Sequence, residues 1–274
     1  MSLRPRKIVR IIEPQFSSEV NGIRWYRSLT PADTVLAHPF VALELFQNNH
    51  LKVNNPQPTS RFYRGVKLFS HIIHGNYSVR INQNQIYQTH AGDFIEIDTG
   101  SGVQMDEVFL PDGEKMEGFR LWIDQNSFQN SGMKVSIHAR NEKRLRFQHG
   151  KVQVRSFSGF PADQSFDSLW AGSDLTILDI KISAETKFEL KTAYDHHALV
   201  FVYQGRGYIG PYQEEDKVLI ARQRVLLFDQ GHSIQIQTED TPISLLVVTA
   251  QPSGEEIRPG NRHSQHDGSI LKIQ

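Results

Sequence analysis

The sequence predicts an all-β protein with few short helices, built as a β-sandwich or a barrel. Short apolar runs rich in Val, Ile, Phe and Tyr recur along the chain, and Gly, Asn, Asp and Pro separate them. Apolar runs of about four to eight residues between turn formers are typical of strands. Long amphipathic helical patterns are nearly absent, and many short, evenly spaced strands favour sandwiches and barrels.

The predicted elements are distributed over both halves of the chain. The strands are Val66–Ile73, Tyr77–Ile81, Asp93–Ile97, Phe119–Ile123, Val152–Phe157, Leu175–Ile182, Leu199–Tyr203, Val225–Phe228, Ile234–Ile236 and Ile243–Val248, and the two short helices are Pro14–Glu19 and Phe166–Trp170. A polar stretch, Gln125–Gly132, and a basic stretch, Arg140–Gly150, follow the first set of strands. Because linkers are polar and lack an apolar pattern, we expect two domains, at residues 1–137 and 138–274.

Two blocks of the first half are echoed in the second half. Residues 71–79 compare with residues 201–209, and residues 91–97 compare with residues 221–227. The offset is the same for both pairs, 130 positions, as from 71 to 201 and from 91 to 221. A constant offset over two blocks predicts a duplicated strand–turn–strand unit.

The composition excludes several classes of function. Acidic and basic residues balance at 30 each, so no global field attracts the chain to nucleic acid or to an anionic membrane. The absence of cysteine excludes disulfides, thiolate metal sites and thiol nucleophiles. No apolar run approaches the roughly 20 residues that span a bilayer, and no signal-peptide core follows the basic residues 4–7. We therefore expect a cytoplasmic protein that binds neither nucleic acid directly nor membranes.

Several blocks resemble the pirin family in order and spacing. They are Gly22–Leu29, like the family's Gly-x-Arg-Val-x-Arg opening, His38–Phe46, like its Asp-Pro-Phe-Leu-x-x-Asp-x-Phe block, Arg64-Gly65, Gly75, Ala91–Phe94, the Gly100/Gly102 turn, Leu121–Ile123, Phe201–Tyr203 and Tyr208–Pro211. The resemblance covers most of the chain. It implies two tandem cupin barrels of the jelly-roll type, the first of which carries the site.

The positions that the resemblance implies for metal ligands hold unusual residues. Pirins bind iron or another divalent metal through three histidines and one glutamate. Arg61 and Tyr63 stand at two histidine positions of the strand that leads to Gly65, and Met105 stands at the histidine of a His-x-Glu block. Only Glu107 is retained, so the resemblance implies a degenerate metal site.

The chemistry of the substituted residues disfavours a metal. A guanidinium has no lone pair and stays protonated, so Arg61 would repel a cation. Tyr63 would have to lose a proton whose pKa is ordinarily about 10, and the Met105 thioether suits copper(I) better than iron(II). We therefore expect no cofactor. If a divalent metal such as iron binds nevertheless, Tyr63 and Glu107 are its expected ligands.

Strand alternation extends the predicted pocket. Side chains along a strand point alternately to its two sides. If Arg61 and Tyr63 face the barrel interior, Lys67 and His71 should therefore face it as well, unless a bulge at Gly65 interrupts the alternation. An unpaired buried cation is costly, so we expect an Arg61–Glu107 ion pair in place of the metal. The alternative is that Arg61 turns out to solvent.

Two kinds of binding remain open for such a pocket. Arg61, Tyr63, Lys67 and His71 together suit a small anion such as a carboxylate or a phosphate ester. The alternative is a closed barrel that is kept for its outer surface and meets a protein partner.

The predicted function is a non-catalytic binding or regulatory module with a metal-free basic pocket, present as a monomer or a weak homodimer. The alternative function, implied by the family, is a metal-dependent oxygenase like quercetin 2,3-dioxygenase with an altered ligand set. Several pirins oxidise flavonols with dioxygen, whereas others are regulatory partners of transcription factors or metabolic enzymes.

Overall fold

Nearly all of the described chain is β-structure, as predicted. The computed structural model describes residues 4–29, 33–48, 57–111, 115–124, 132–140, 142, 146–159, 170–171, 174–213 and 215–252. Within them, the one α-helix, α1, is the short Thr34–Ala37. No helix in this part of the chain has the length and apolar character needed to cross a membrane.

The strands follow one another at short intervals. In the first half they are β1 Ile8–Ile12, β2 Gln15–Val20, β3 Ile23–Arg27, β4 Phe40–Asn48, β5 Thr59–Tyr63, β6 Val66–His74, β7 Asn76–Ile81, β8 Gln85–His90, β9 Phe94–Asp98, β10 Val103–Leu110, β11 Glu117–Asp124 and β12 Lys134–His138. In the second half they are β13 Arg146–His149, β14 Val152–Ser158, β15 Trp170–Ala171, β16 Leu175–Ile182, β17 Thr186–Thr192, β18 His197–Ile209, β19 Val218–Ala221, β20 Arg224–Phe228, β21 Ser233–Thr238 and β22 Ile243–Ala250.

The two predicted helices are not found in the described residues. The prediction at Pro14–Glu19 is wrong, because this segment is strand β2, which pairs with β3. Asn21 and Gly22 join the two strands with positive φ angles of 53° and 76°, as an Asn-Gly hairpin turn requires. Of the predicted helix at Phe166–Trp170, residues 166–169 lie outside the described residues, and Trp170 begins β15.

The chain forms two compact units. The described residues of 15–35 and 39–140 form one, called here the first barrel. Those of 4–14, 36–38 and 142–252 form the other, called here the second barrel. The division therefore differs from the expected 1–137 and 138–274 at the N-terminus. Residues 4–14 belong with the second barrel because β1 pairs with β20.

The first barrel is made of two antiparallel sheets. The larger has the strand order β12-β9-β6-β11-β4-β3-β2, and the smaller has the order β5-β10-β7-β8. The core takes side chains from both sheets, such as Trp25 and Leu68 from the larger and Val79 and Met105 from the smaller. The two sheets thus enclose one interior, in which the predicted site positions lie.

The second barrel repeats the strand pairing of the first. Eight of its strands pair in the order β13-β14-β16-β22-β18-β21-β17-β15. In addition, β19 and β20 pair with β18, and β1 pairs with β20. In the first barrel β9 pairs with β6, and in the second barrel β20 pairs with β18 in the same way. The strands β9 and β20 begin 130 positions apart, at Phe94 and Arg224, and they also end 130 positions apart. Gly75 and Gly205 both have positive φ angles, 85° and 77°. The predicted duplication is therefore confirmed.

Candidate functional site

Three of the four positions implied as metal ligands converge in the core of the first barrel. Tyr63, Met105 and Glu107 are only 3%, 0% and 1% exposed. β5 and β10 are antiparallel neighbours, so that Arg61 lies opposite Met105. Arg61 is half-buried, at intermediate exposure. The strand register alone brings these positions together.

The Glu107 carboxylate is held by three side chains. Its Oε1 accepts hydrogen bonds from Nη2 of Arg120 at 2.6 Å and from the hydroxyl of Tyr77 at 2.6 Å. Its Oε2 accepts a longer bond, 3.3 Å, from the hydroxyl of Tyr63. The Arg120–Glu107 ion pair is buried, with side-chain exposures of 1% and 0%. The retained family carboxylate is therefore already neutralised by a cation of the protein.

Arg120 closes the network around this carboxylate. Its Nε donates to Oγ of Ser70 at 2.9 Å. Its Nη1 and Nη2 donate to the hydroxyls of Tyr63 and Tyr77 at 3.1 and 3.2 Å. Arg120 stands on β11 between β4 and β6. A buried ion pair is tolerated when further hydrogen bonds satisfy its remaining donors and acceptors, and this network meets that condition.

The protonation states follow from burial and from these charges. Burial alone would raise the pKa of Glu107, but the charges of Arg120 and Arg61 hold it below its ordinary value. Burial, reinforced by the negative charge of Glu107, raises the pKa of both Tyr63 and Tyr77 above the ordinary value. The interior therefore contains an ionised carboxylate, a guanidinium and two neutral phenols.

The predicted Arg61–Glu107 ion pair is wrong. Glu107 pairs with Arg120 instead, and the Arg61 guanidinium lies over the ring of Trp25, 4.6 Å from its centroid. The sequence did contain a signal for Arg120. It is a single charge in the apolar run Gly118–Ile123, and a charged residue inside such a strand must find a partner when it is buried.

The prediction that Lys67 and His71 line the pocket is also wrong. Lys67 forms ion pairs with Glu96 and with Asp98, the latter at 3.4 Å. The His71 ring stacks on Phe94, with the ring centroids 3.9 Å apart. The cause is the turn at Gly65, whose φ angle is +67°, because it ends the alternation of β5 before β6 begins in the other sheet. In β6, Val66, Leu68 and Ile72 are the residues that join the core.

A second ion pair lies in the same barrel. Nη2 of Arg27 donates to Oε1 of Glu44 at 2.7 Å, and Nε1 of Trp122 donates to the other carboxylate oxygen at 3.1 Å. Glu44 is 3% exposed. The guanidinium of Arg27 also lies 5.9 Å from the Trp122 ring centroid. The sequence reasoning missed this pair as well.

The arrangement does not fit a divalent metal ion. The carboxylate of Glu107 is bonded to a cation, and Tyr63 is a neutral phenol that donates to it. Met105 offers only a soft thioether, and Arg61 brings a positive charge. In the described part of the chain, no three His, Cys, Asp or Glu side chains are grouped so that they could hold a metal.

Comparisons with known proteins agree with the motifs and the fold. No family model matches the chain. A pirin-like protein of Caulobacter vibrioides is 22% identical over 268 residues, which cover 94% of this chain and 91% of that protein. Quercetin 2,3-dioxygenase from Acinetobacter baumannii has a similar structure, with a TM-score of 0.74, 20% identity and coverage of 93% of this chain and 90% of the other.

A second solved structure adds to the likeness. The bacterial pirin YhhW from Escherichia coli, solved in complex with nickel(II), has a TM-score of 0.66 and 12% identity, over 89% of this chain and 99% of the other. These structures share the two-cupin fold described above. The ordered motifs and the similarity to the pirin-like protein over nearly the whole chain support the resemblance to the pirin family, and the solved structures show the two-cupin fold.

Proposed function

We propose that this protein is a non-catalytic, metal-independent pirin that works as a binding or regulatory module. One observation carries the proposal: the carboxylate of Glu107, the only family ligand retained, is bonded to Arg120 and Tyr77 inside the core. The guanidinium supplies the positive charge that a metal supplies in other members of the family. The Glu107 position thus serves the structure of the barrel.

Two energetic terms oppose the binding of a metal ion at Glu107. A metal would have to displace Arg120 from Glu107, and breaking a buried ion pair costs about 3–5 kcal/mol. The incoming dication would also lie close to Arg61 and Arg120, and like charges repel strongly where water is excluded. Both terms oppose the binding of a metal ion. Positions 61, 63 and 105 hold no histidine whose bond to the metal could compensate for these costs.

The binding partner is a small anionic ligand or another protein. The interior around Glu107 is filled by side chains that are almost completely buried, so a ligand is expected at the rim of the barrel and a protein on its outer surface. The cytoplasmic location, the monomeric or weakly dimeric state and the lack of nucleic-acid and membrane binding stay predictions.

A second candidate function is an oxygenase. The observation that favours it is the structural similarity to quercetin 2,3-dioxygenase from Acinetobacter baumannii. In this protein such an activity would need an altered ligand set that includes Tyr63 and Glu107. The two functions make opposite demands on Glu107, because an oxygenase needs it as a free ligand.

Metal analysis together with a flavonol assay tests the proposal. The purified protein is incubated anaerobically with Fe(II) or Ni(II), desalted and analysed for metal, and then mixed with quercetin in air. We expect far less than one metal per chain and no loss of quercetin above the buffer rate. One metal per chain that is lost in Glu107→Gln, or protein-dependent oxidation of quercetin, would overturn the proposal.

A designed variant provides the positive control for metal detection. The substitutions Arg61→His, Tyr63→His and Met105→His restore the histidines that the family resemblance implies. We expect little gain in Ni(II) binding from these three alone, because Arg120 still occupies Glu107. Adding Arg120→Met is expected to increase binding, which would identify the arginine as the group that excludes the metal.

A further inference from the structure

Three arginine side chains and two buried carboxylates, Glu107 and Glu44, form one group of charges in the first barrel. Arg120 pairs with Glu107 at 2.6 Å, and Arg27 pairs with Glu44 at 2.7 Å. Arg61 is the third guanidinium in this region. Among the described residues, no carboxylate oxygen lies within the 4.0 Å ion-pair distance of Arg61. The group of three cations and two carboxylates therefore carries an excess of one positive charge.

The surroundings of Arg61 hold this charge in place without neutralising it. Its guanidinium lies 4.6 Å from the centroid of the Trp25 ring. Its neighbour Tyr63 is a neutral phenol because its pKa is raised. Although burial disfavours the charged form, its interaction with the Tyr63 hydroxyl and its attraction to the carboxylates of Glu107 and Glu44 raise the pKa of Arg61. The side chain is thus a permanent cation in a half-buried, aromatic environment.

Arg61 lies where side chains of the two sheets of the first barrel meet. It stands on β5, which is the end strand of the smaller sheet, whereas Trp25 stands on β3 of the larger sheet. The Arg61–Trp25 contact therefore bridges the seam between the sheets. Asn21 bridges the same seam, because its Nδ2 donates to Oγ1 of Thr59 at 3.1 Å.

The seam has little internal space. A crevice lined by Trp25, Asn21, Thr59 and Phe109, among others, has a volume of about 10 Å³, which holds about one water molecule. Arg61 does not line this crevice, and because the residue has intermediate exposure, we expect a small ligand to reach it from the rim of the barrel.

We propose that Arg61, backed by Trp25, binds a small organic monocarboxylate at the seam between β3 and β5. This proposal rests on the proposed function, since it names the ligand of that binding module. The guanidinium fork matches a carboxylate with two parallel hydrogen bonds. A single negative charge neutralises the excess charge of one. A phosphate dianion carries two negative charges, and Arg61 neutralises one of them. The second negative charge would remain close to the carboxylates of Glu44 and Glu107.

Titration with matched anions tests the ligand class. The probes are benzoate and acetate as carboxylates, benzamide as a neutral analogue of benzoate, and inorganic phosphate. We expect benzoate and acetate to raise the melting temperature in a saturable manner. Benzamide should have no effect, and phosphate should bind more weakly. Binding of phosphate at Arg61 tighter than that of benzoate would overturn the assignment to carboxylates.

Three variants test the role of Arg61 in binding. Arg61→Gln should weaken benzoate binding by about tenfold or more, because a bidentate charged contact is lost. Arg64→Gln removes the same charge from an exposed position three residues along the chain, and it should bind benzoate like the wild type. Arg61→Lys keeps the charge without the fork and should fall between them. Equal binding by all three variants, or no saturable binding by the wild type, would overturn the proposal.

The outcomes separate this site from the proposed function. If the protein is free of metal and binds no carboxylate, the site at Arg61 is wrong and the metal-independent function stands. If the protein binds one metal per chain through Glu107, the proposed function is wrong whatever the carboxylates do. Circular dichroism of Arg61→Gln and Arg64→Gln checks that both variants are folded.

Discussion

The two barrels share their strand pairing but fill the same interior positions with opposite chemistry. In the first barrel, Arg120 on β11 lies opposite Ser70 on β6. In the second barrel, Val247 on β22 lies opposite Val200 on β18. Ser70 and Val200 are separated by the repeat offset of 130 positions. Val247 therefore occupies the place of Arg120, and it is 1% exposed.

An apolar residue also stands in the second barrel at the position that corresponds to Glu107. Glu107 on β10 lies opposite Val79 on β7, and Ile236 on β21 lies opposite Ile209 on β18. Val79 and Ile209 are again 130 positions apart. The second barrel thus has isoleucine and valine where the first has a buried ion pair, and both apolar residues belong to its hydrophobic core cluster. A cupin barrel of this chain therefore forms without a buried ion pair at these two positions.

Removing one charge of the buried ion pair should destabilise the first barrel more than any other change considered. Arg120→Met leaves Glu107 buried without a cation, so we expect a loss of about 3–5 kcal/mol of unfolding free energy. Urea denaturation measures it through the fluorescence of Trp25 and Trp122, both of which belong to the first barrel. The matched variant Val247→Ala should cost only about 1–3 kcal/mol in the second barrel, by loss of apolar burial. A loss below about 1 kcal/mol for Arg120→Met would contradict the buried ion pair.

Converting the first barrel toward the second should recover part of that loss. The double variant Glu107→Leu with Arg120→Met removes both charges, and replacing a whole buried pair with apolar residues is often close to neutral. We expect it to be about 1–3 kcal/mol more stable than Arg120→Met alone. The recovery is incomplete because Tyr63 and Tyr77 lose their partners. A double-mutant cycle by urea denaturation gives the coupling energy, and additive losses would show that the two residues do not interact.

Acid should affect the two barrels in opposite directions. The pKa of Glu107 is lowered from its ordinary value of 4.5, so its contribution is present above pH 4.5 and is lost as the pH falls below it. Burial raises the pKa of Asp179 in the second barrel above 3.8, so its contribution is present below pH 3.8 and is lost as the pH rises through the folded pKa.

A pH series of urea denaturations checks this contrast. Glu107→Gln should flatten the acid dependence of the first barrel between pH 5 and pH 3, whereas Asp179→Asn should leave that dependence unchanged. The same acid dependence in wild type and Glu107→Gln would mean that another carboxylate is responsible.

Much of the fold was predictable because strands are local patterns. Alternation and turn residues gave the strands, and the constant offset gave the duplication. The resemblance to the pirin family implied the candidate positions Tyr63, Met105 and Glu107, and they lie on the antiparallel neighbours β5 and β10. These signals need only the order of residues along one or two strands.

The errors arose where contacts are distant in the sequence. The partner of Glu107 is Arg120, on a strand of the other sheet, and no local pattern specifies which cation reaches it. Lys67 was misplaced because one glycine with positive φ, Gly65, resets the alternation. The N-terminal residues were misassigned because β1 pairs with β20, at the other end of the chain.

We expect a smaller change in stability from Arg61, the half-buried arginine that contacts Trp25. Arg61→Met should change the unfolding free energy by no more than about 1 kcal/mol. The variant loses a cation–π contact with Trp25, which is worth about 0.5–1 kcal/mol, but it also removes a half-buried charge that no carboxylate neutralises. The measurement is the urea denaturation used for Arg120→Met, with and without benzoate. Benzoate should stabilise the wild type and not Arg61→Met. A loss above about 2 kcal/mol without ligand would mean that Arg61 already neutralises a carboxylate of the protein, and then the first barrel would have no cation free for an anion.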